Sequence, residues 1–245
     1  MHTPVSGPLM DGTRALGARR RGVLWGCLAL LMAIPLALTG CKVNRSDYRF
    51  RMTVEVETPQ GLRSGSSVYA VWAANDFPGS QKRLWRVSGE AVAVDLPDGR
   101  TLFALLRTNA HFEDMVGLSM TALDPGFTSQ YDVVGTAKRF EAMDGNGREA
   151  LVDPANYPML VTFRDIDDPA SVELVDPDNL AASFGEGVKL KRITVQITDD
   201  SVTTGIEKRL GWLKRGADGG LDRTMGVNAQ PTLAQQLSFL DFRRN

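Results

Sequence analysis

The clearest pattern in this chain is a strict alternation of apolar and polar residues from Tyr48 to Glu57. A period of two over ten residues predicts a β-strand with one buried and one solvent-facing side. The apolar positions are Tyr48, Phe50, Met52, Val54 and Val56, and the polar positions are Arg49, Arg51, Thr53, Glu55 and Glu57. Pro59-Gln60-Gly61 ends this strand, and the turn-rich bridge Arg63–Ser67 leads to a second predicted strand, Ser67–Ala73.

A β-hairpin is the next element that the pattern predicts. Glu90–Leu96 and Arg100–Leu106 flank Pro97-Asp98-Gly99. Asp-Gly between two β-type segments supplies the positive φ angles that a tight hairpin turn needs. A short strand over Leu84–Val87 is expected to precede this hairpin.

The second half of the chain mixes helical and β-type patterns. Ser129 is a candidate N-cap, and Asp176 is another, followed by Pro177 at the first helical position. Thr204-Gly205-Ile206-Glu207 fits a capping box. The predicted helices are Asp114–Leu123, Ser129–Met143, Pro177–Phe184 and Thr204–Arg215, and the predicted strands are Met159–Arg164, Val172–Val175 and Val188–Thr198.

Two late segments do not follow one simple periodicity. The apolar positions of Val188–Thr198 change phase, from Val188 and Leu190 to Ile193, Val195 and Ile197, which predicts a β-bulge near Lys191. Thr232–Phe242 fits a helix or a strand.

The order of the predicted elements indicates the fold class. Strands cluster early and late in the chain, and hairpin turns join neighbouring strands, which indicates a single α+β domain with a mainly antiparallel sheet and a few helices.

The N-terminus has the composition of a secretion signal. Arg14, Arg19, Arg20 and Arg21 precede the apolar segment Val23–Leu38, which is shorter than the roughly 20 residues that a transmembrane helix needs. Leu38-Thr39-Gly40-Cys41 closes this segment and resembles the lipobox of bacterial lipoprotein precursors. The Arg20-Arg21 pair resembles a twin-arginine signal only weakly, so general secretion is favoured.

The lipobox resemblance implies cleavage between Gly40 and Cys41 and a lipid on the Cys41 sulfur. It divides the chain into a cleaved signal peptide (1–40), a lipidated tether (41–47) and a periplasmic α+β domain (48–245). Buried acyl chains, worth about 0.8 kcal/mol per CH₂, would anchor the protein. Lys42 stands where an Asp favours inner-membrane retention in enterobacterial lipoproteins, so the expected location is the outer membrane, facing the periplasm.

Cleavage changes the composition on which further inferences rest. Of the 245 residues 205 would remain, and the loss of four Arg and one Asp changes 28 basic and 29 acidic residues to 24 and 28. The resulting net charge of about −4 argues against nucleic-acid binding. Cys41 would be the one remaining cysteine, which excludes an internal disulfide and a cysteine metal site.

Candidate catalytic residues are few. After loss of His2, His111 is the one histidine, and it could in principle serve as base for Ser64, Ser66 or Ser67. No Gly-x-Ser-x-Gly elbow is present, so a loop or helix-start residue is the preferred interpretation of His111. No phosphate-binding loop supports nucleotide hydrolysis.

Acidic residues offer the other candidate chemistry. Asp165, Asp167 and Asp168 follow a predicted strand, and Asp176 and Asp178 lie downstream. Neither this cluster nor Asp144-Gly145-Asn146-Gly147 matches an EF-hand loop, so turn formation is the preferred interpretation. A paired-carboxylate glycosidase is the remaining alternative. We expect no metal site and no cofactor.

Lys82-Arg83-Leu84-Trp85-Arg86 mixes cations with an aromatic side chain. It could bind an anionic glycan, a lipid headgroup or a protein, although a charge-protected edge strand is the favoured interpretation. The charged face of Arg49, Arg51, Glu55 and Glu57 is expected to be an ordinary solvent-facing sheet surface.

The segments Tyr48–Val68 and Thr204–Leu210 are similar to segments of uncharacterised proteobacterial envelope proteins. That resemblance implies a shared fold and transfers no activity. The sequence therefore predicts a lipid-anchored, non-enzymatic module that binds an envelope protein or a cell-wall polymer, or that serves a surface-assembly system. The alternative is a periplasmic hydrolase that acts on an envelope substrate.

Overall fold

The computed structural model consists mostly of antiparallel β-sheet with a few short helices. It describes residues 45–75, 83–108, 115–124, 126–127, 133–143, 149–215, 220–222, 224 and 230–244. In these ranges the strands are β1 Arg45–Thr58, β2 Gly61–Asn75, β3 Arg83–Glu90, β4 Val92–Asp95, β5 Thr101–Thr108, β6 Ala150–Leu151, β7 Pro158–Phe163, β8 Val172–Val175, β9 Lys189–Ile197 and β10 Arg243–Arg244. The α-helices are α1 Met115–Leu123, α2 Val133–Glu141, α3 Leu180–Phe184 and α4 Leu233–Gln236.

Two antiparallel sheets contain these strands. The larger sheet has the order β10-β3-β2-β1-β9-β6, and the smaller has the order β4-β5-β7-β8. The chain passes from one sheet to the other at Ala91, between β3 and β4. This arrangement confirms the mainly antiparallel sheet that the sequence predicts. None of the helices in the described ranges is long and apolar enough to cross a membrane.

The first strand has the burial pattern that its alternation predicts. Even-numbered side chains of β1 are buried from Ser46 to Val56, and odd-numbered ones are partly or fully exposed. On the exposed side Glu55 pairs with Arg192 at 2.9 and 3.1 Å, and Arg51 pairs with Asp200. The Arg192 guanidinium lowers the pKa of Glu55. The mixed-charge face is thus an ion-paired sheet surface, as expected.

The second strand is much longer than the sequence indicates. β2 begins at Gly61, so the bridge predicted over Arg63–Ser67 is wrong: these residues pair with Val56–Met52 of β1. Small polar residues are tolerated there because one side of the strand faces solvent. The hairpin turn itself is the two residues between Thr58 and Gly61, and Gly61 has the positive φ of +106° that favours glycine.

The bulge near Lys191 is confirmed. Glu55 pairs with Arg192 and Val56 with Leu190, so Lys191 is the extra residue on β9. The hairpin of β4 and β5, the strands β3, β7 and β8, and the stop at Gly185 (φ +99°) are confirmed as well. α1 and α2 fall within the predicted helices, whereas the proposed cap Ser129 lies outside the described residues.

Two predicted helix starts are corrected, and the segment Thr232–Phe242, which fits a helix or a strand, is mainly helical. Asp176 does not cap α3, because its carboxylate accepts the Asp178 N–H in a turn and Asn179 is the N-cap. The predicted helix Thr204–Arg215 is two 3₁₀ turns, Ile206–Lys208 and Gly211–Arg215, and Gly205 at the start has no side-chain cap. Thr232–Phe242 contains α4, a 3₁₀ turn over Phe239–Asp241 and no strand before Arg243.

Two buried tyrosines of the larger sheet differ in how their hydroxyls are satisfied. Tyr48 shares a 2.8 Å hydrogen bond with the Ser119 hydroxyl of α1. Tyr69 stacks on Phe50 with ring centroids 5.0 Å apart, and its fully buried hydroxyl is near the buried Ser67 hydroxyl without forming a well-aligned hydrogen bond with it. Burial raises the pKa of Tyr69 well above its ordinary value.

We expect Tyr69→Phe to leave the free energy of unfolding unchanged or to raise it by up to about 1 kcal/mol, because it removes an unsatisfied polar group. Tyr48→Phe is the matched control and should lower the same quantity by about 1 kcal/mol, since it leaves Ser119 without this partner. Urea unfolding of both variants measures the difference. A larger loss for Tyr69→Phe than for Tyr48→Phe would contradict the assignment.

Candidate functional site

One of the two edges of β1 has no neighbouring strand at its N-terminal end among the described elements. β2 pairs with β1 from Arg45 to Thr58, whereas β9 pairs with its other edge from Phe50 to Glu57. The last contact is the Thr198 N–H, which donates to the Arg49 carbonyl at 3.1 Å. Because backbone groups alternate in direction along a strand, Asp47 points the same way as Arg49, away from β2. The Asp47 N–H and C=O therefore face outward, and no described residue hydrogen-bonds to them, whereas the Arg49 backbone lies opposite Thr198.

A groove of about 320 Å³ follows this free edge. Asp47, Tyr48 and Arg49 of β1 line it, together with Ala70, which lies opposite Arg49 on β2. The end of α2 forms one wall, and the segment that follows β9 forms the other. The remaining lining residues are Phe140, Glu141, Met143, Ile197, Thr198 and Asp199.

The sequence of β1 itself holds the helical wall in place. The buried ring of Tyr48 packs edge-on against Phe140, with centroids 5.2 Å apart, and the Ser46 hydroxyl donates to the Glu141 carboxylate. These contacts involve even-numbered residues of β1, which are on its buried side. α2 is therefore packed beside the free edge and does not cover it, and Met143 at its end is 44% exposed.

The charge of the groove is negative. Asp47, Glu141 and Asp199 supply three carboxylates, and Arg49 supplies one guanidinium, so the lining carries a net charge of about −2. Met143 adds exposed apolar surface, while Phe140 and Tyr48, which also line the groove, are almost fully buried. Outward-facing backbone groups, exposed apolar surface and excess carboxylate suit the binding of an extended polypeptide better than the binding of an anion.

The serine candidates do not converge on one site. Ser64 and Ser66 are exposed, whereas Ser67 points to the opposite side of β2 and is 1% exposed. Strand alternation separates them, since neighbouring side chains point to opposite faces. The candidate base His111 lies outside the described residues. None of these three serines is hydrogen-bonded to a base within the part of the chain that the structure describes.

The acidic cluster after β7 forms turns, as the preferred interpretation predicts. The Asp165 carboxylate accepts the Asp167 N–H at 3.0 Å, and the Asp168 carboxylate accepts the Ala170 N–H at 2.9 Å. The hydroxyl of Ser171 donates within the same loop. Among the described residues no group of three or more His, Cys, Asp or Glu side chains is arranged to hold a metal ion. Asp144-Gly145-Asn146-Gly147 lies outside the described residues.

The basic-aromatic segment around Trp85 lies on an edge strand. β10 pairs with only Glu90 and Gly89 of β3, which leaves the outer edge of Arg83–Ser88 without a neighbouring strand among the described elements. Leu84 and Trp85 are 37% and 40% exposed and point to opposite faces, while Arg86 lies across from Trp72. This placement agrees with a charge-protected edge. A binding role for Lys82–Arg86 stays a prediction.

The lipidation and cleavage residues Cys41 and Gly40 lie outside the described residues. β1 begins at Arg45, so Arg45, Ser46 and Asp47, which the sequence assigns to the tether, are part of the strand. The groove residues Asp47, Glu141 and Asp199 were not candidates at the sequence level. These residues stand out only because β9 stops pairing with β1 beside them, and that end point follows from the register of the sheet and not from the sequence.

Comparison with known proteins gives no further guide, because no family model, no curated protein and no solved structure matches this chain.

Proposed function

We propose that this protein is a lipid-anchored, non-enzymatic binding or assembly module of a bacterial envelope, and that its partner docks in the groove beside β1. In this proposal residues 1–40 are a cleaved leader and Cys41 carries the lipid. The rest of the mature chain is one α+β domain behind a short tether. Its location is the outer membrane, facing the periplasm.

The observation that carries the proposal is the free edge of β1 next to the proposed anchor. Arg45 begins the strand four residues after Cys41, and four extended residues span at most about 14 Å. Lipid on Cys41 would therefore keep this end of the domain, and the groove with it, close to the membrane surface. Such a position suits a module that holds a partner beside the membrane.

The alternative of a periplasmic hydrolase has less support. Its carboxylate candidates Asp165 and Asp168 use their oxygens within turns, and its serine candidates point to different sides of β2. No specific contact among the described residues favours a reaction mechanism. An envelope protein is preferred over a cell-wall polymer as the partner, because outward-facing N–H and C=O groups of a strand are complementary to another polypeptide.

A photo-crosslinking experiment in intact cells tests the proposal. A photoreactive phenylalanine analogue replaces Met143, on the wall of the groove, in the full-length chain and in its Cys41→Ala variant. The same analogue at Leu174, 56% exposed on the other sheet, is the matched control. We expect one specific protein adduct at Met143 that Cys41→Ala reduces at least tenfold, with no such adduct at Leu174.

Three results would contradict this proposal. The absence of a specific adduct at Met143 in either form would argue against a docked partner. An adduct of equal intensity in the Cys41→Ala variant would show that the anchor does not matter for binding. Turnover of an envelope substrate by the purified protein would favour the hydrolase.

A further inference from the structure

One corner of the larger sheet combines exposed cations with exposed apolar and aromatic side chains. Arg45 at the start of β1 lies in register with Ala74 of β2, which pairs in turn with Leu84 of β3. Leu84 and Trp85 are 37% and 40% exposed, and Arg45 and Arg86 are exposed as well. We call the four exposed residues Arg45, Leu84, Trp85 and Arg86 the β1–β3 corner.

The two arginines of the β1–β3 corner are not neutralised within the described structure. No described carboxylate forms an ion pair with Arg45 or Arg86, in contrast to the ion-paired arginines further along the same sheet face. Asp47 and Arg49, the next residues of β1 on this face, add one charge of each sign. This end of the face therefore carries about +2, although the mature chain as a whole would carry about −4.

The proposed anchor leads directly into this corner. Arg45 is four residues after Cys41, and four extended residues span at most about 14 Å. The opposite end of the sheet is much more distant, because β1 continues for fourteen residues to Thr58, about 44 Å from its start. Lipid on Cys41 would keep the β1–β3 corner beside the headgroups, whereas the hairpin after Thr58 is free to extend away from them.

The side chains of the corner have the chemistry of a membrane interface. Tryptophan is enriched at the boundary between headgroups and acyl chains, where its ring is buried and its N–H stays hydrated. Arginine is attracted by the negative surface potential of an anionic leaflet, over a distance of about 8–10 Å in salt. Leu84 and Trp85 are neighbours in a strand and point to opposite faces, so the start of β3 presents apolar surface on both of its sides.

We infer that the β1–β3 corner docks on anionic phospholipid headgroups and thereby fixes the orientation of the anchored domain. The inference rests on the proposed function for its anchor and assigns the membrane contact to named side chains. The lipid supplies the affinity, and the corner determines which side of the domain faces the bilayer. The acidic groove lies at the edge of β1 away from β2 and β3, so this orientation turns it from the anionic surface toward a partner.

Photo-crosslinking to lipid tests this inference on the full-length chain, purified in non-ionic detergent and added to preformed vesicles. A photoreactive phenylalanine analogue replaces Leu84. The vesicles are a two-to-one mixture of phosphatidylcholine and phosphatidylglycerol with radioactive phosphorus, which labels headgroups and is absent from acyl chains. The same analogue at Leu62 is the matched control, because Leu62 is 51% exposed on the same sheet face but pairs with Glu57 at the far end of β1.

We expect the labelled adduct at Leu84 to be at least tenfold stronger than the adduct at Leu62. In vesicles of phosphatidylcholine alone the Leu84 adduct should fall at least threefold, because the anchor still inserts but the attraction to anionic headgroups is lost. Equal adducts at Leu84 and Leu62 would overturn docking through this corner. Equal adducts at Leu84 in the two kinds of vesicle would overturn the recognition of anionic headgroups.

Charge reversal provides the second arm. Arg45→Glu combined with Arg86→Glu should lower the Leu84 adduct in the mixed vesicles at least fivefold. Arg63→Glu with Lys189→Glu is the matched control, since these residues lie at the hairpin end of the sheet and change the net charge equally. All four side chains are exposed, so neither double variant removes a buried contact. Equal loss in the two double variants would reduce the effect to overall charge and overturn the assignment to the corner.

The outcomes separate this inference from the function on which it rests. A partner adduct at Met143 in cells, without a lipid adduct at Leu84, would keep the binding module and reject the docked corner. A lipid adduct at Leu84 that depends on anionic headgroups, without a partner adduct at Met143, would keep the docked corner and reject the partner in the groove.

Discussion

Gly65→Ala is expected to lower the free energy of unfolding by about 3 kcal/mol, the largest effect of any single methyl group considered for this protein. Gly65 lies in β2, where the missing side chain would point toward β4 of the other sheet. A Cβ atom there would overlap the carbonyl oxygen of Ala93 and lie 2.8 Å from its carbonyl carbon. Backbone cannot rotate away as a flexible side chain can, so the sheets would have to separate locally.

The expected loss of stability comes from the contact between the added Cβ atom and the Ala93 backbone, and not from the backbone conformation of residue 65. The φ angle of Gly65 is not positive, so an alanine could adopt its dihedral angles without strain. Gly211→Ala is the matched control, because a Cβ at Gly211 meets no atom within 4 Å and its φ is not positive. We expect that control to change the free energy of unfolding by no more than about 0.5 kcal/mol.

Urea unfolding followed by tryptophan fluorescence measures both variants. A lower midpoint with an unchanged slope would report a loss of stability in a protein that still folds to the same structure. Equal midpoints for Gly65→Ala and Gly211→Ala would contradict the close approach of β2 and β4.

Glu90→Ala is expected to lower the free energy of unfolding by about 2–3 kcal/mol. Glu90 ends β3 and is 4% exposed. Its two carboxylate oxygens accept the backbone N–H groups of Gly205 at 2.9 Å and Ile206 at 2.8 Å. These N–H groups start the 3₁₀ turn Ile206–Lys208, and removing the carboxylate leaves the buried Ile206 donor and the partly buried Gly205 donor without this acceptor.

Two variants control this prediction. Glu90→Gln keeps the volume and one acceptor oxygen, so its loss should be about half as large. Glu207→Ala removes a nearby carboxylate, half-buried and 3.5 Å from Arg243, and should cost less than about 1 kcal/mol. Faster amide hydrogen exchange at Gly205 and Ile206 in Glu90→Ala would tie the loss to the cap, whereas unchanged exchange would contradict that origin.

Local patterns predict much of this fold. The alternation over Tyr48–Glu57, the Asp98-Gly99 turn and the phase change at Lys191 each depend on neighbouring residues, and all three are confirmed. Wrong assignments have equally physical causes. Thr204-Gly205-Ile206-Glu207 has the residue types of a capping box. The backbone N–H groups at this turn instead donate to the carboxylate of Glu90, which is 115 residues away from Gly205 in the sequence.

By itself the sequence determined the first strand, the β4–β5 hairpin and the antiparallel character of the sheet, because side-chain periodicity and turn chemistry act within a few residues. It also led to the anchor at Cys41, which stays a prediction. Only the tertiary structure decided that β9 stops pairing at Arg49, that α2 ends beside the exposed edge, and that Gly65 meets Ala93. These features depend on register and on the packing of segments distant in the chain, for which no local pattern carries a signal.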